Sequence, residues 1–267
     1  MSDPARRPTE PVPHSSPGSN FGWAAQLRAL TPARVGLGRT GVSLETSDLL
    51  DFQRCHAQAR DAVHARLESA ALAAELGKLT GSAILRLHSA APDRVTYLQR
   101  PDLGRALDEP SRMLLDKTSQ SGGSDLALVI ADGLSALAIE RHAIPLLAEL
   151  LPRLQGLRLA PICIVEQGRV AIGDEIGAAL HAEIAVVLIG ERPGLSSPDS
   201  LGAYITWKPG PGRTDAERNC ISNIRPEGLK IAQAAAQLGF ILAAARRLRL
   251  TGVALKEQAP QTKEIEP

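Results

Sequence analysis

Aromatic side chains are scarce in this 267-residue chain, which holds three Phe, two Trp and two Tyr. Single-stranded RNA recognition leans on aromatic stacking platforms, so the composition argues against that function. An excess of one charge is also missing. The 30 Lys and Arg face 29 Asp and Glu, leaving a formal net charge of +1. No whole-molecule field attracts nucleic acid or an anionic membrane. Cys55, Cys163 and Cys220 are too few and too scattered for a disulfide framework. No CxxC or Cys/His cluster offers zinc-ligand spacing. That cysteine usage fits a reducing cytoplasm. No apolar run is long enough to span a bilayer, and the Pro-, Ser- and Arg-rich start lacks the apolar core of a signal peptide. A cytoplasmic protein is expected.

Phosphate-binding and catalytic signatures are missing too. VGLGRTG (35–41) carries Gly36, Gly38 and Gly41 at dinucleotide-fingerprint spacing. No strand pattern precedes it and a helical pattern starts only beyond it, so it reads as a hinge or partner-contact loop. There is no Walker A motif, and Ser196 and Ser197 sit in no GxSxG elbow. Asp132, Asp174, Glu175, Glu191, Asp199 and Asp215 can be paired as acids and bases on paper, but nothing in the sequence sets their distances. Helix capping accounts for several of them: Thr214 followed by Glu217 reads as a capping box. Cys220 has no histidine nearby, and a buried structural thiol is its default reading. The chain reads as a binding platform without a complete reaction centre.

What is present is a clear change of hydrophobic period. Residues 1–20 are rich in Pro, Ser and charge, cannot offset ordering entropy by burial, and are expected to be disordered. FGWAAQLRALT (21–31) is a short amphipathic piece, either a docking helix or the first turns of the folded part. A long helical pattern runs from Leu44 to about Leu76, behind cap-type Thr46, Ser47 and Asp48. His56 and His64, eight residues apart on that pattern, are too distant to share a metal. Then LALVIA (126–131), LAPICIV (159–165) and IAVVLIG (184–190) form continuous apolar runs, separated by helical stretches. This is the βαβαβ signature of a parallel sheet buried on both faces. GAYITW (202–207) predicts a further strand, read as antiparallel. A last Ala-rich helix covers 229–250, with Arg246, Arg247 and Arg249 at its C-terminal end, where the helix dipole favours cations.

The fold expected is α/β: a Rossmann-like parallel-sheet domain over residues 101–267, preceded by a helical N-terminal part over 21–100. Loops at 132–135, 166–170 and 190–194 then follow the carboxyl ends of parallel strands and share one edge. Doubly wound folds bind ligands at that edge.

Four segments carry a family resemblance: ADGLSALAIERHA (131–143), GRVAIGDEIGAAL (168–180), VVLIGERPGLSSPDSLGAYITW (186–207) and GRTDAERNCISNIRPEGL (212–229). With VGLGRTG and LETSDLLDFQRCHAQARDAVH (35–64), they closely resemble the small subunit of ethanolamine ammonia-lyase, over about residues 27–255. The resemblance implies a complex of repeated heterodimers with a large TIM-barrel subunit that holds most catalytic residues. It implies adenosylcobalamin as cofactor, at the subunit interface, for radical conversion of ethanolamine to acetaldehyde and ammonia. By motif, Val170, Glu191 and Cys220 are the implied cofactor-binding residues. Val170 would offer apolar surface and Glu191 an acceptor for the corrin's amides, with Cys220 a small contact and not a cobalt ligand. No histidine stands in the Asp-x-His-x-x-Gly context that replaces the cofactor's own base. Retention of dimethylbenzimidazole on cobalt is therefore expected. The family also suggests residence in a bacterial microcompartment. Two rivals stay open: a free-standing α/β enzyme on a phosphorylated or nucleotide substrate, and a structural or targeting subunit with a vestigial site.

Overall fold

A computed structural model of the protein describes residues 22–31, 33–118 and 123–258. The segment 1–20, expected to be disordered, lies outside them. The chain divides into two compact units, Met1–Cys55 and His56–Pro267.

The described part of the first unit holds helix α1 (Gly22–Leu30), a two-stranded hairpin of β1 (Arg39–Thr40) and β2 (Ser43–Leu44), and the start of α2 (Thr46–His64). Gly36 has φ +58° and packs against Ala24, where a side chain would collide. Arg28 Nε donates to the Val35 carbonyl at 3.0 Å.

The long helical pattern from Leu44 does not run unbroken to Leu76. It stops at His64 and restarts as α3 (Ser69–Thr80). No Gly or Pro forces the break. Leu67 turns into the core, and buried Ser69 accepts hydrogen bonds from Arg86 at 2.8 and 3.1 Å while its hydroxyl donates to Glu166. A tertiary demand overrides local helix propensity here.

The second unit is built on a six-stranded sheet. In chain order it holds β3 (Ile84–His88), α4 (Arg94–Gln99), α5 (Glu109–Thr118), β4 (Ser124–Ala131), α6 (Ala136–Leu150), β5 (Ile162–Glu166), α7 (Ile172–Ala179), β6 (Ala182–Gly190), β7 (Leu201–Trp207), β8 (Arg218–Ile224), α8 (Ile231–Leu248) and α9 (Val253–Gln258). The spatial order is β3-β5-β4-β6-β7-β8. The first four strands are mutually parallel; β7 and β8 run antiparallel to their neighbours. This is the expected α/β architecture, with GAYITW antiparallel as read. Nothing in the local pattern marks Ile84–His88 as a strand, yet it forms the sheet's parallel edge.

The apolar runs are continuous because both faces of the central strands are covered. Leu126, Leu128 and Ile130 of β4 point into a core with α3, α6 and α8. Ala127, Val129 and Ala131 point the other way, toward Leu115 of α5 and Ile172 and Ile176 of α7. Ser135 caps α6, accepting from the Ala138 N–H at 3.3 Å, and Ile139, Ala143, Leu146, Leu147 and Leu150 then repeat every three or four residues on its buried side.

Strands β7 and β8 differ. Leu201, Ala203, Ile205, Ile221 and Ile224 face the α6–α8 core. The alternate residues, Gly202, Tyr204, Cys220 and Ser222, face the α7 side. There Cys220 and Ser222 are exposed and Tyr204 is half-buried. The open side of this β-ribbon is the feature that positions the candidate site. No helix among the described residues is long and apolar enough to cross a membrane.

Candidate functional site

The three loops read from the sequence do lie at one edge, since β4, β5 and β6 are parallel neighbours. The chain leaves β4 for α6 on one face and β5 for α7 on the other. That reversal is where a doubly wound sheet opens a ligand crevice. Here the protein's own side chains fill it. Arg94 Nη1 donates to the Gly133 carbonyl at 2.8 Å, to Gln167 Oε1 at 3.2 Å and to Asp132 Oδ2 at 3.4 Å, while its Nε donates to the Val63 carbonyl at 2.7 Å. Asp132 Oδ1 accepts from the Gly168 N–H at 3.1 Å. Burial pushes the Asp132 carboxyl up to about 6, against the pull of Arg94 and the backbone N–H groups. Tyr97 is fully buried and donates to the Gly168 carbonyl at 3.0 Å, its ring 4.8 Å from the Arg94 guanidinium and 4.3 Å from that of Arg169. A second tight contact closes the edge: Gly133, at φ +57°, packs on the Gly190 carbonyl and Ile189, leaving no room for a Cβ.

The available surface lies beside this plug, on the open side of β7–β8. Val170, at the entry to α7, is half-buried in the same cluster as Tyr204. Tyr204 is the register partner of Cys220. Glu191, just after β6, lies over Gly202, where a Cβ would come within 3.0 Å of Oε1. Its Oε2 accepts from the Ser200 hydroxyl and, at 3.0 Å, from the Asn223 N–H. Asn223 takes φ +58° and interrupts the regular strand there. Burial, with lesser effects of the Cys220 thiol and the Glu191 charge, pushes the Tyr204 phenol above its ordinary range. Val170, Glu191 and Cys220 are thus brought together around Tyr204, although 50 residues of chain separate the first from the last.

The environments differ from what the sequence alone suggests. A buried thiol is the default expectation for Cys220, a few residues after the Thr214–Glu217 cap. The Thr214–Glu217 capping box is real, but it opens only a 3-10 turn, Asp215–Glu217, which leads straight into β8. Strand alternation then turns Cys220 outward, and it is exposed. Glu191, in the loop after β6, is half-buried and held by two hydrogen bonds.

Next to Val170 and Tyr204 opens a cleft of about 470 Å³, lined also by Arg105, Arg169, Arg213 and Arg218. Arg218 is buried and grips Asp174 through two bonds, Nη1–Oδ1 at 2.7 Å and Nη2–Oδ2 at 2.6 Å; Nη1 also donates to Thr206 at 2.9 Å. Sequence reading missed Arg94, Tyr97, Tyr204 and this arginine set. For Tyr204 a signal existed: it alternates with Ala203 and Ile205 and so falls on the face opposite to them.

The described residues include no group of three or more His, Cys, Asp or Glu side chains placed to hold a metal ion. The polar groups on the platform are instead a carboxylate, a phenol, a hydroxyl and a thiol beside apolar surface. That set suits a broad ligand fringed with amides better than a bare cation.

The family model for the ethanolamine ammonia-lyase light chain matches residues 22–256. A protein named ethanolamine ammonia-lyase small subunit from Ralstonia nicotianae is 59% identical over 241 residues, covering 89% of this chain and 88% of that one. A protein of the same name from Azotobacter vinelandii is 59% identical over 248 residues, covering 91% of each. Another from Xanthomonas campestris is 57% identical over 241 residues, covering 89% and 88%. With the family model matched across the whole sheet, and relatives of this identity over nine-tenths of its length, the chain belongs to the ethanolamine ammonia-lyase small-subunit family.

Proposed function

We propose that this chain binds adenosylcobalamin on the open side of β7–β8, beneath a large TIM-barrel subunit, in a complex that deaminates ethanolamine to acetaldehyde and ammonia. The observation that carries the reading is the convergence of Val170, Glu191 and Cys220 on one uncovered sheet face. When bound, the cofactor supplies the radical chemistry; the protein supplies placement, electrostatics and exclusion of water. Val170 and the Tyr204 ring give the corrin an apolar seat. Glu191, held by Ser200 and Asn223, keeps its acceptor oxygens positioned for amide N–H groups at the corrin's rim. Cys220 makes a small, soft contact, and the cofactor's own dimethylbenzimidazole stays on cobalt. The large subunit covers the opposite side of the cofactor and brings the substrate. Heterodimers repeat to build the complex, which in some hosts resides in a microcompartment.

The test pairs this chain with a large subunit. Neither alone is expected to deaminate ethanolamine; the pair with adenosylcobalamin does. Turnover by the lone chain would support a free-standing enzyme, and a large subunit that works equally well alone would reduce this chain to a structural part. Glu191→Ala is expected to weaken cofactor binding about tenfold, roughly 1.4 kcal/mol, the scale of a hydrogen bond to a charged group. Size-exclusion chromatography should show the subunits still assembled. Unchanged cofactor affinity removes Glu191 from the site.

A further inference from the structure

We infer that the arginine-lined cleft beside the platform is an anion site for the phosphodiester of the cofactor's nucleotide tail. The inference rests on the cobalamin reading above and assigns residues that the three motif positions do not include.

The cleft and the platform are continuous, because Val170 and Tyr204 line both. A corrin seated on those two side chains has its periphery at the cleft mouth. That periphery is mostly neutral amide. The phosphodiester is its one permanently ionised peripheral group, and a guanidinium is the side chain best matched to it.

The four arginines are not equivalent. Arg218 is committed to Asp174 at 2.6 Å and to Asp215 at 3.3 Å, and Arg213 is committed to Glu217. Asp215, the one carboxylate lining the cleft, is exposed and shares Arg218 with Asp174, so the four arginines set against the three carboxylates Asp174, Asp215 and Glu217 leave a net charge of +1 there. Arg105 and Arg169 form no ion pair among the described residues. They share one lip. The Arg169 N–H donates to the Gly104 carbonyl at 2.7 Å, and a Cβ on Gly104 would come within 2.8 Å of Arg169 Cγ. The Arg169 guanidinium is steadied by the Tyr97 ring and by a 3.3 Å bond from Nη2 to the Tyr97 carbonyl, while its buried Nε has no hydrogen-bond partner. Two cations without counter-charges, held at the rim of a cleft that adjoins the cofactor platform, make an electrostatic seat for one anion.

A phosphodiester on the cofactor and a free phosphate share this chemistry, so the test separates them. The assembled two-subunit protein is titrated with adenosylcobalamin and with adenosylcobinamide, which lacks the nucleotide tail. Arg105→Gln is expected to weaken adenosylcobalamin about tenfold and to leave adenosylcobinamide unchanged, the size of one lost charge-assisted contact. Charge reversal in Arg105→Glu should weaken it further. Inorganic phosphate should compete with adenosylcobalamin and not with adenosylcobinamide. The 31P resonance of bound adenosylcobalamin should move in Arg105→Gln, a readout that holds even where adenosylcobinamide binds too weakly to titrate. Equal loss for both corrinoids, an unchanged 31P resonance, or phosphate that binds without competing overturns the inference. Glu191→Ala, by contrast, is expected to weaken both corrinoids. Failure there sinks the platform reading, and failure of the arginine arm alone leaves that reading standing.

Discussion

Removing the Asp174 carboxylate is expected to be among the most damaging single changes in the second unit. Asp174 and Arg218 are both buried and meet through two short, parallel bonds of 2.7 and 2.6 Å, which tie the first turn of α7 to the start of β8. Asp174→Ala leaves a guanidinium with Thr206, the Arg213 carbonyl at 3.3 Å and the exposed Asp215 as its remaining partners. Breaking a buried pair from one side costs about 3–5 kcal/mol. For a domain of this size, each kcal/mol lowers the melting temperature by about 2–4 °C, so a drop of roughly 6–20 °C is expected. The assay is thermal unfolding by circular dichroism, carried through a double-mutant cycle. Replacing both partners, as in Asp174→Leu with Arg218→Met, should restore most of the loss, because no charge is then left stranded. A single-mutant shift of only a degree or two would refute the reasoning. So would a double variant no better than the worse single one.

Three further outcomes are expected. Gly133→Ala should cost more than about 2 kcal/mol in urea unfolding, since the position needs positive φ and an added Cβ collides with the Gly190 carbonyl; a neutral result would mean that this junction yields. Asp132 titrates near 6 in the fold against about 3.9 when unfolded, so the folded state binds the extra proton between those values. Its stabilising effect is present below pH 4 and lost as pH rises through 6. Relative to the native chain, Asp132→Asn should therefore gain up to about 3 kcal/mol between pH 4 and 7, and a flat difference would refute the shift. Cys220 is exposed while Cys55 and Cys163 are buried, with burial pushing the Cys163 thiol up to about 12. Mass spectrometry after brief alkylation should find label at Cys220 first, and adenosylcobalamin in the assembled complex should slow it.

Much of the fold was legible in local pattern. The runs at 126–131, 159–165, 184–190 and 202–207 became β4 to β7 with ends moved by a few residues. A fully buried parallel strand has no polar face to interrupt it, so its signal is strong. Ile84–His88 escaped because an edge strand only five residues long carries Arg86 at its centre, with no apolar run to announce it. The helix pattern through 65–68 misled because propensity does not register that Leu67 is needed in the core and Ser69 beside Glu166. Cys220 misled for a related reason. The capping box signals a helical turn, and nothing local states that the turn ends after three residues.

Hydrophobic period, a property of neighbours along the chain, was enough to find the strands at 126–131, 159–165, 184–190 and 202–207 and the helices between them, and hence the α/β class and its parallel core. The motifs around residues 170, 191 and 220 settled the family. Only the tertiary structure decided that the switch-point crevice is filled by Arg94 and Tyr97, and that the free surface is the α7 side of β7–β8. That outcome depends on strand pairing and on which helices reach which strands. Those are relations between residues far apart in sequence, set by burial of the whole and not by any local repeat.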